Sequence, residues 1–474
     1  MRDGDARPAR LTGARALSWG WRFARDPLVA SRRAFEAFGP CVVLADAVPF
    51  VRPGRVVLLD VPLVLTAGAA FHRELLSDPV TWRGVSLLPG GPKHSAARRM
   101  SAGLTRTTGS RHAHYRKLLG PPLRKASVDA MASTMARLAQ AEVESWSAAD
   151  SIDLWDHPRR LMRRFAIDLL FGGPDQRGEM IMDMVSRSME RKWGWGAFIP
   201  VNLPITPYGR MIREAEALER ELLAWAASKR GHLDERDLAS IVVNGPDVEG
   251  APAGAATIVG QMPSLLAAAS EAGQSALSWT LLLVAQHPNV AGRLLEELRT
   301  TLGVATPSLD AARDLPYLDA VVKESMRLLP PVPLQIRVAQ QDTAISGQPV
   351  PKGTRVMLNT FLTNRTTDLY TDGDTFMPER WFSISPTPFE FPVFSGGPHG
   401  CSGYAFGLIA VKIALAAILT RYRLAVAPGV SIDYNVQPTM RPRQGVPMVL
   451  HRQDGAFGAT PVGGKIGNLV RFPQ

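Results

Sequence analysis

The segment Phe394–Gly403 carries the most specific chemistry in this chain, because it places a lone cysteine, Cys401, in a glycine-rich loop. The glycines, Gly403 among them, let the backbone turn tightly around the sulfur and direct N–H groups toward it. An apolar run, Ala405–Leu419, follows and is predicted to form a buried helix whose N-terminal end lies beside the sulfur. Backbone donors and the helix dipole lower the pKa of a thiol, so the pattern predicts a thiolate that binds iron.

A lone cysteine before an apolar helix is more often a small buried hydrophobic residue than a metal ligand. The assignment of Cys401 as a ligand therefore depends on further patterns earlier in the chain. Glu324 and Arg327 are three residues apart, so on a predicted helix they share a face and can form an ion pair. An exposed pair of this kind would contribute little. The apolar flanks and the end of the helix at Pro330 favour a buried pair instead.

Three segments, in chain order, are Lys323–Arg327, Phe376–Trp381 and Phe394–Gly403. They resemble the Glu-x-x-Arg, Phe-x-Pro-Glu-Arg and Phe-x-x-Gly-x-x-x-Cys-x-Gly motifs of the cytochromes P450, and the resemblance runs from about residue 26 to about residue 452. It implies a mainly α-helical fold with a smaller β region, and haem b whose iron is bound by the Cys401 thiolate. It also implies that Arg380 joins Glu324 and Arg327 in a buried cluster with a structural role.

The resemblance assigns further residues to the haem. His112 and Arg116 match the His-x-x-x-Arg pair that binds haem propionates, and Arg337 matches a third propionate contact. Phe394 is expected to cover one side of the sulfur. His399 departs from the family, which usually has Arg at this position. Because an imidazole titrates near neutrality, we expect haem retention to depend on pH.

The strongest departure lies in the segment Leu265–Trp279, which resembles the family's helix over the haem. Its usual pattern is Ala-Gly-x-(Glu/Asp)-Thr; here Glu271 fills the acid position and Ala272 replaces the threonine. In the family that hydroxyl takes part in proton delivery during oxygen activation. Water, a substrate hydroxyl or Gln274 could replace it, with the carboxylate as acid–base group. Alternatively, the enzyme couples radicals, uses a peroxide or rearranges a preactivated substrate. We favour replacement of the missing hydroxyl over these alternative reactions.

The resemblance implies a haem-thiolate oxidase or monooxygenase that hydroxylates, epoxidises or oxidatively couples an apolar secondary metabolite. A haem-dependent transferase, isomerase or peroxide-using enzyme is the alternative, and a haem sensor without turnover is a third possibility. The chain has no flavin or iron–sulfur motif. We therefore expect O2 and a small apolar substrate as reactants, and ferredoxin with ferredoxin reductase as electron donors.

Length and composition fit one large domain over residues 1–474, with an N-terminal extension at 1–25 and a Gly-rich, flexible C-terminal tail at 454–474. No linker with a composition shift divides the chain, and 46% hydrophobic residues suffice for one core. The other cysteine, Cys41, lies in a strand-like stretch and is predicted to be buried, so no disulfide framework is expected. The first residues contain no apolar run of spanning length. We expect a cytoplasmic protein of the soluble bacterial type.

The chain has 54 basic and 43 acidic residues, a net charge of +11. Nucleic-acid binding is disfavoured, because the basic residues are scattered and no binding module is recognised. An ordinary solvated, arginine-rich surface is the more common explanation of this charge. The more specific interpretation is a positive surface on the Cys401 side that steers an acidic redox partner. We expect a monomer without a membrane partner.

The remaining pattern predicts the elements around these residues. Strands are expected over 34–66 and 331–360, and helices dominate from 121 to 330. A long Gly/Ser-rich loop is expected over 84–110, and the aromatic-rich segment Trp193–Pro204 interrupts the helices as a lid-like stretch.

Overall fold

The computed structural model describes residues 9–44, 48–52, 55–59, 62–85, 90–147, 151–231, 234, 236–303, 308–366 and 368–473. Among the described residues, those in helices far outnumber those in strands, which confirms the predicted mainly α fold with a smaller β region.

The helices are α1 (Gly13–Arg25), α2 (Pro27–Phe38), α3 (Ala69–Ser77), α4 (Ala96–Arg99), α5 (Gly109–Leu119), α6 (Lys125–Ala130), α7 (Ala132–Glu144), α8 (Asp156–Phe171), α9 (Gln176–Trp193), α10 (Pro207–Lys229), α11 (Leu238–Asn244), α12 (Ala255–Gln286), α13 (Pro288–Leu302), α14 (Pro316–Leu328), α15 (Thr360–Thr363) and α16 (Tyr404–Arg421). The strands are β1 (Ala9–Leu11), β2 (Cys41–Leu44), β3 (Val48–Arg52), β4 (Arg55–Leu59), β5 (Leu63–Thr66), β6 (Trp82–Gly84), β7 (Ser151–Asp153), β8 (Leu334–Ala339), β9 (Thr343–Ile345), β10 (Gln348–Val350), β11 (Arg355–Asn359), β12 (Tyr422–Val426), β13 (Tyr434–Gln437), β14 (Thr439–Pro442) and β15 (Pro447–Arg452).

The largest sheet joins distant parts of the chain in the order β1-β2-β5-β11-β8-β6. Strands β1 and β2 pair in parallel, with Ala9 opposite Val42, so the described part of the N-terminal extension belongs to the fold. Strand β8 pairs antiparallel with β11, with Arg337 opposite Val356. Because this pairing fixes the register of β8, it also fixes where Arg337 emerges from the sheet.

Two long helices form the centre of the largest hydrophobic cluster. Helix α16 confirms the predicted apolar helix, and nearly all of its residues from Ala405 to Leu419 are buried. It is the one described helix with the length and hydropathy to cross a membrane, and 78% of that stretch is buried inside the protein, as in a core helix. Helix α12 is tied to β14, because Ser275 Oγ and the Trp279 indole both donate to the Met440 carbonyl, at 2.6 and 3.1 Å.

Several boundaries differ from the sequence expectations. Residues 34–38, predicted as strand, complete helix α2, because Ala34 is buried on the apolar face of a helix that begins earlier, at Pro27. The loop over 84–110 contains α4 and a 3-10 turn at Leu104–Arg106, while its residues 86–89 lie outside the described residues. Cys41 is buried as expected, and burial raises the pKa of its thiol to about 12.

The second half of the C-terminal segment, from Ile466 to Arg471, packs against the rest of the protein. Ile466 and Leu469 are fully buried, and Val470 is nearly so. The Leu469 carbonyl accepts a hydrogen bond from Arg365, at 2.9 Å, and the Arg471 N–H donates to the Asp374 carbonyl. The expectation of a flexible tail at 454–474 is therefore wrong for these residues, which pack onto the core despite their many glycines.

Candidate active site

The cysteine loop is held in shape by its own backbone. The Cys401 N–H donates to the Phe394 carbonyl at 2.8 Å, and the Gly403 N–H donates to the thiol. Gly397 has a φ of +61°, and a Cβ at this position would collide with the Leu76 carbonyl, so the turn requires glycine. The loop thus presents the sulfur at the N-terminal end of α16.

The Phe394 ring packs edge-on against Tyr404, with centroids 5.8 Å apart. One turn of the loop connects to the main sheet, because Ser395 Oγ donates to Gln335 Oε1 on β8 at 3.1 Å. The aromatic pair and this hydrogen bond fix both ends of the loop relative to α16 and β8. Phe394 therefore anchors the loop with its carbonyl and packs against the helix start with its ring.

Cys401 is exposed toward an internal space, although surrounding protein atoms still desolvate its sulfur. Desolvation raises the pKa of this thiol, and the Gly403 N–H and the Arg116 charge offset the increase in part. The expectation that backbone donors and helix dipole alone lower this pKa is therefore wrong. A bound metal cation is what deprotonates a coordinating thiol.

Four basic side chains surround the loop: His112, Arg116, Arg337 and His399. The rings of His112 and His399 are in contact, with centroids 4.0 Å apart and planes tilted by 35°, and Arg337 is only 9% exposed. Arg116 donates to the Gly400 carbonyl at 2.7 Å and also to Ser402 Oγ, so it braces the cysteine loop. This bracing role was not foreseen from the sequence, which suggested a propionate contact alone.

The surroundings of these four groups lower the pKa values of three of them. Desolvation lowers the pKa of Arg337 to about 10, and desolvation together with Arg116 lowers that of His112. Desolvation, His112, Arg337 and Arg116 lower the pKa of His399 to about 4. The expectation that His399 titrates near neutrality is thus wrong for the protein alone, because burial among cations favours the neutral ring.

This arrangement fits haem, the cofactor that the sequence resemblance implies. Within the described residues, no carboxylate forms an ion pair with any of the four basic groups, and His399 Nε2 is buried without a hydrogen-bond partner. Arg337 is the buried guanidinium among them, and a buried cation without a counter-charge requires an anionic partner. The propionates of haem would supply the anions, and Cys401 would supply the metal ligand from the same side of the space.

The predicted structural cluster is confirmed. Glu324 is fully buried, and its carboxylate accepts hydrogen bonds from Arg327 at 2.8 and 2.9 Å and from Arg380 at 3.0 Å. The Met377 N–H and the Trp381 indole add two more, each at 3.0 Å. Desolvation would raise the pKa of Glu324, but the hydrogen bonds and charges of the two arginines outweigh it and hold the pKa below its usual value.

Helix α12 presents two different faces at the expected site. Ala268 is exposed in the middle of this long, mostly buried helix, and Ala272, one turn later, is half-buried. The pair marks a face with open space before it. Glu271 instead lines an open cleft, whose walls also include Trp155, Arg163, Glu190, Gln274 and Arg441.

The carboxyl of Glu271 is poised to exchange protons near neutral pH. Desolvation raises its pKa to about 7, although the Arg441 charge opposes the increase. Glu190, from α9, adds to the increase by charge repulsion. No sequence pattern indicated Glu190 or Arg441 at this site, because they come from elements far from α12 along the chain.

The side chain of Gln274 contacts α8. Its side-chain amide donates to the Trp155 carbonyl at the start of α8, at 3.0 Å. Gln274 lies two positions after Ala272, which places it about 200° around the helix from that residue. We therefore assign Gln274 to the contact between α12 and α8.

Comparisons with known proteins agree with these observations. The family model described as cytochrome P450 matches residues 88–446. Among curated relatives, cyclooctat-9-en-7-ol 5-monooxygenase of Streptomyces melanosporofaciens is 26% identical over 72% of this chain and 77% of that protein. Pentalenene oxygenase of Streptomyces avermitilis is 25% identical, over 77% of this chain and 83% of that protein. A solved structure of cyanobacterial CYP120A1 with retinoic acid bound has a TM-score of 0.78, at 24% identity, and covers 94% of this chain and 99% of that one. The chain belongs to the cytochrome P450 family.

Proposed function

We propose that this P450 monooxygenase oxidises an apolar secondary metabolite of terpenoid type, by hydroxylation, epoxidation or oxidative coupling. Two relatives are named for the oxidation of cyclooctat-9-en-7-ol and of pentalenene, which are terpenoid metabolites. The solved neighbour holds retinoic acid, whose carbon skeleton is also isoprenoid. All three molecules consist mainly of an isoprenoid hydrocarbon skeleton. We assign a substrate of this kind to the enzyme.

The observation that carries the proposal is the arrangement of Glu271 beside Ala272. When bound, the haem iron supplies the centre at which oxygen is activated. Glu271 opens to the solvent-accessible cleft, and its pKa of about 7 allows it to take up and release a proton near neutral pH. Ala272 leaves room for a water molecule on the adjacent face of α12. Glu271 then delivers protons from the cleft to that water, which replaces the missing threonine hydroxyl.

Electrons come from a separate redox partner, for which we propose ferredoxin and ferredoxin reductase. Helix α5, whose Arg116 braces the cysteine loop, carries exposed Lys117, and the segment after it carries exposed Arg124 and Lys125. Helix α6 in this segment packs against α16, the helix that follows Cys401. A positive surface so close to the thiolate favours an acidic partner. We assign the protein to the cytoplasm, as a monomer.

The test measures product and hydrogen peroxide per NADPH consumed, with a surrogate ferredoxin system and a panel of terpene hydrocarbons and alcohols. Glu271→Ala should lower the rate of product formation by about 10²–10⁴-fold and divert electrons to peroxide. Glu190→Ala, which removes the exposed carboxylate of the same cleft, is the matched control and should stay within a few-fold of the wild type.

The second variant addresses the alternative reactions. Ala272→Thr restores the hydroxyl and should improve the coupling of NADPH to product or leave it unchanged. Product that forms without NADPH would contradict the proposal and indicate a transferase or isomerase. Full activity of Glu271→Ala, with NADPH still required, would contradict the proton route through this carboxyl.

A further inference from the structure

The buried face of α9 carries two polar groups that the site described above does not use. Ser188 and Lys192 lie four residues apart, so they are neighbours on one face of the helix, and they are 4% and 7% exposed. Ser188 Oγ is buried without a hydrogen-bond partner. Lys192 forms no hydrogen bond or ion pair with any residue in the described part of the chain.

A second buried lysine shows what a structural lysine in this protein does. Lys412, on α16, is 6% exposed, and its ammonium group bonds to the Arg313 carbonyl and to Asp319, at 3.1 Å for the carboxylate. Burying an unpaired ammonium group is costly, and natural proteins rarely tolerate it without a partner. Lys192 lacks the partners that Lys412 has, so its position requires an explanation other than packing.

Lys192 lies at the end of α9 that borders the cleft of Glu271. The next residue, Trp193, lines the same cleft as Glu271, so this end of α9 lies against the Glu271 stretch of α12. Lys192 itself does not line this cleft, although its neighbours Met189, Glu190 and Trp193 do. Its side chain is buried on the part of α9 that packs on α10 and α12.

We propose that Lys192 and Ser188 bind an anionic oxygen group of the substrate, so that the substrate is an amphiphile with an apolar skeleton and one carboxylate or phosphate. This inference rests on the proposed oxidation of an apolar metabolite and adds the head group to it. An ammonium group and a hydroxyl one helical turn apart can donate to two oxygens of the same anion, and such charge-assisted hydrogen bonds are strong. Desolvation lowers the pKa of Lys192 to about 8, which leaves it mostly protonated at pH 7.

The test measures binding to the oxidised, haem-loaded protein by isothermal titration calorimetry at pH 7, without reductant. The probes are decanoate, decyl phosphate and decan-1-ol, each below its critical micelle concentration. The wild type should bind one or both anions more tightly than the alcohol, and the comparison of the two anions distinguishes a carboxylate from a phosphate head group. Because no turnover is involved, the result does not depend on whether the oxidation chemistry is assigned correctly.

Lys192→Met should weaken binding of the preferred anion by about tenfold or more, the loss expected for a hydrogen bond to a charged group, and change binding of the alcohol less than twofold. Lys192→Arg should restore most of the anion affinity, and Ser188→Ala should cost about two- to tenfold. The exposed Lys125→Met is the matched control and should behave as the wild type. A wild type that does not prefer an anion, or a Lys192→Met variant that binds anion and alcohol with equal losses, would overturn the proposal.

Discussion

Removal of the Glu324 carboxylate tests how much the buried cluster of Glu324, Arg327 and Arg380 stabilises the fold. Five donors converge on this one group: two from Arg327, one from Arg380, the Met377 N–H and the Trp381 indole. The carboxylate and Arg327 are 0% exposed, and Arg380 is 6% exposed. Glu324→Ala therefore leaves two guanidinium groups in the interior without a counter-charge.

The magnitude follows from what remains after the substitution. Arg327 keeps hydrogen bonds to backbone carbonyls, including those of Asn364 and Gly373, each at 2.8 Å, but carbonyls do not neutralise its charge. Arg380 keeps the Thr371 carbonyl, and its Nη2 already lacks a partner. Breaking a buried ion pair by removing one partner costs about 3–5 kcal/mol. Since a folded domain has about 5–15 kcal/mol of stability, this loss is a large part of the total.

The measurement is urea denaturation of the haem-loaded protein, together with the ratio of haem to protein after purification. Glu324→Ala should lower the free energy of unfolding by about 3–5 kcal/mol and yield mostly haem-free or insoluble protein. Lys125→Ala, which removes an exposed lysine 2.7 Å from Asp129, should change it by less than about 1 kcal/mol. A soluble, haem-loaded Glu324→Ala variant as stable as the control would refute the reasoning.

Two further predictions concern proton delivery and haem retention. Glu271 must be protonated to donate, and burial raises its pKa to about 7, so coupling of NADPH to product should fall as the pH rises through 7. Glu271→Gln should give low coupling that no longer depends on pH in this range, and an unchanged pH profile would contradict the assignment. Arg337→Ala removes a buried cation that has no carboxylate partner among the described residues, and haem affinity, measured by transfer of haem to apomyoglobin, should fall by about tenfold or more. Unchanged haem affinity would show that Arg337 does not face the propionates.

The sequence predicted those parts of the site that lie within short segments. The cysteine loop, the apolar helix after it and the Glu324–Arg327 pair depend on local spacing, and each appears where the pattern placed it. The clustering of His112 with His399 could be predicted from the family resemblance alone, because the two residues are almost 290 positions apart. The joining of Arg380 to the pair depended on the same resemblance.

Other features could not be predicted, because they depend on contacts between distant elements. The raised pKa of Glu271 arises from burial between α9, α12 and β14, and the sequence showed a carboxylate but not its desolvation. The sequence suggested that the Gln274 amide could take the place of the hydroxyl, but this amide donates to a carbonyl at the start of α8. The C-terminal segment lacks apolar periodicity, but Ile466 and Leu469 are fully buried and pack it against the core.

The most direct test of the central claim is the absorption spectrum of the reduced carbon monoxide complex of the wild type and of Cys401→Ser. Thiolate ligation by Cys401 predicts the long-wavelength Soret band that is characteristic of this family in the wild type, and its complete loss in Cys401→Ser, with haem still bound through the basic cluster. Retention of the long-wavelength band in Cys401→Ser would contradict the assignment of this residue as the iron ligand.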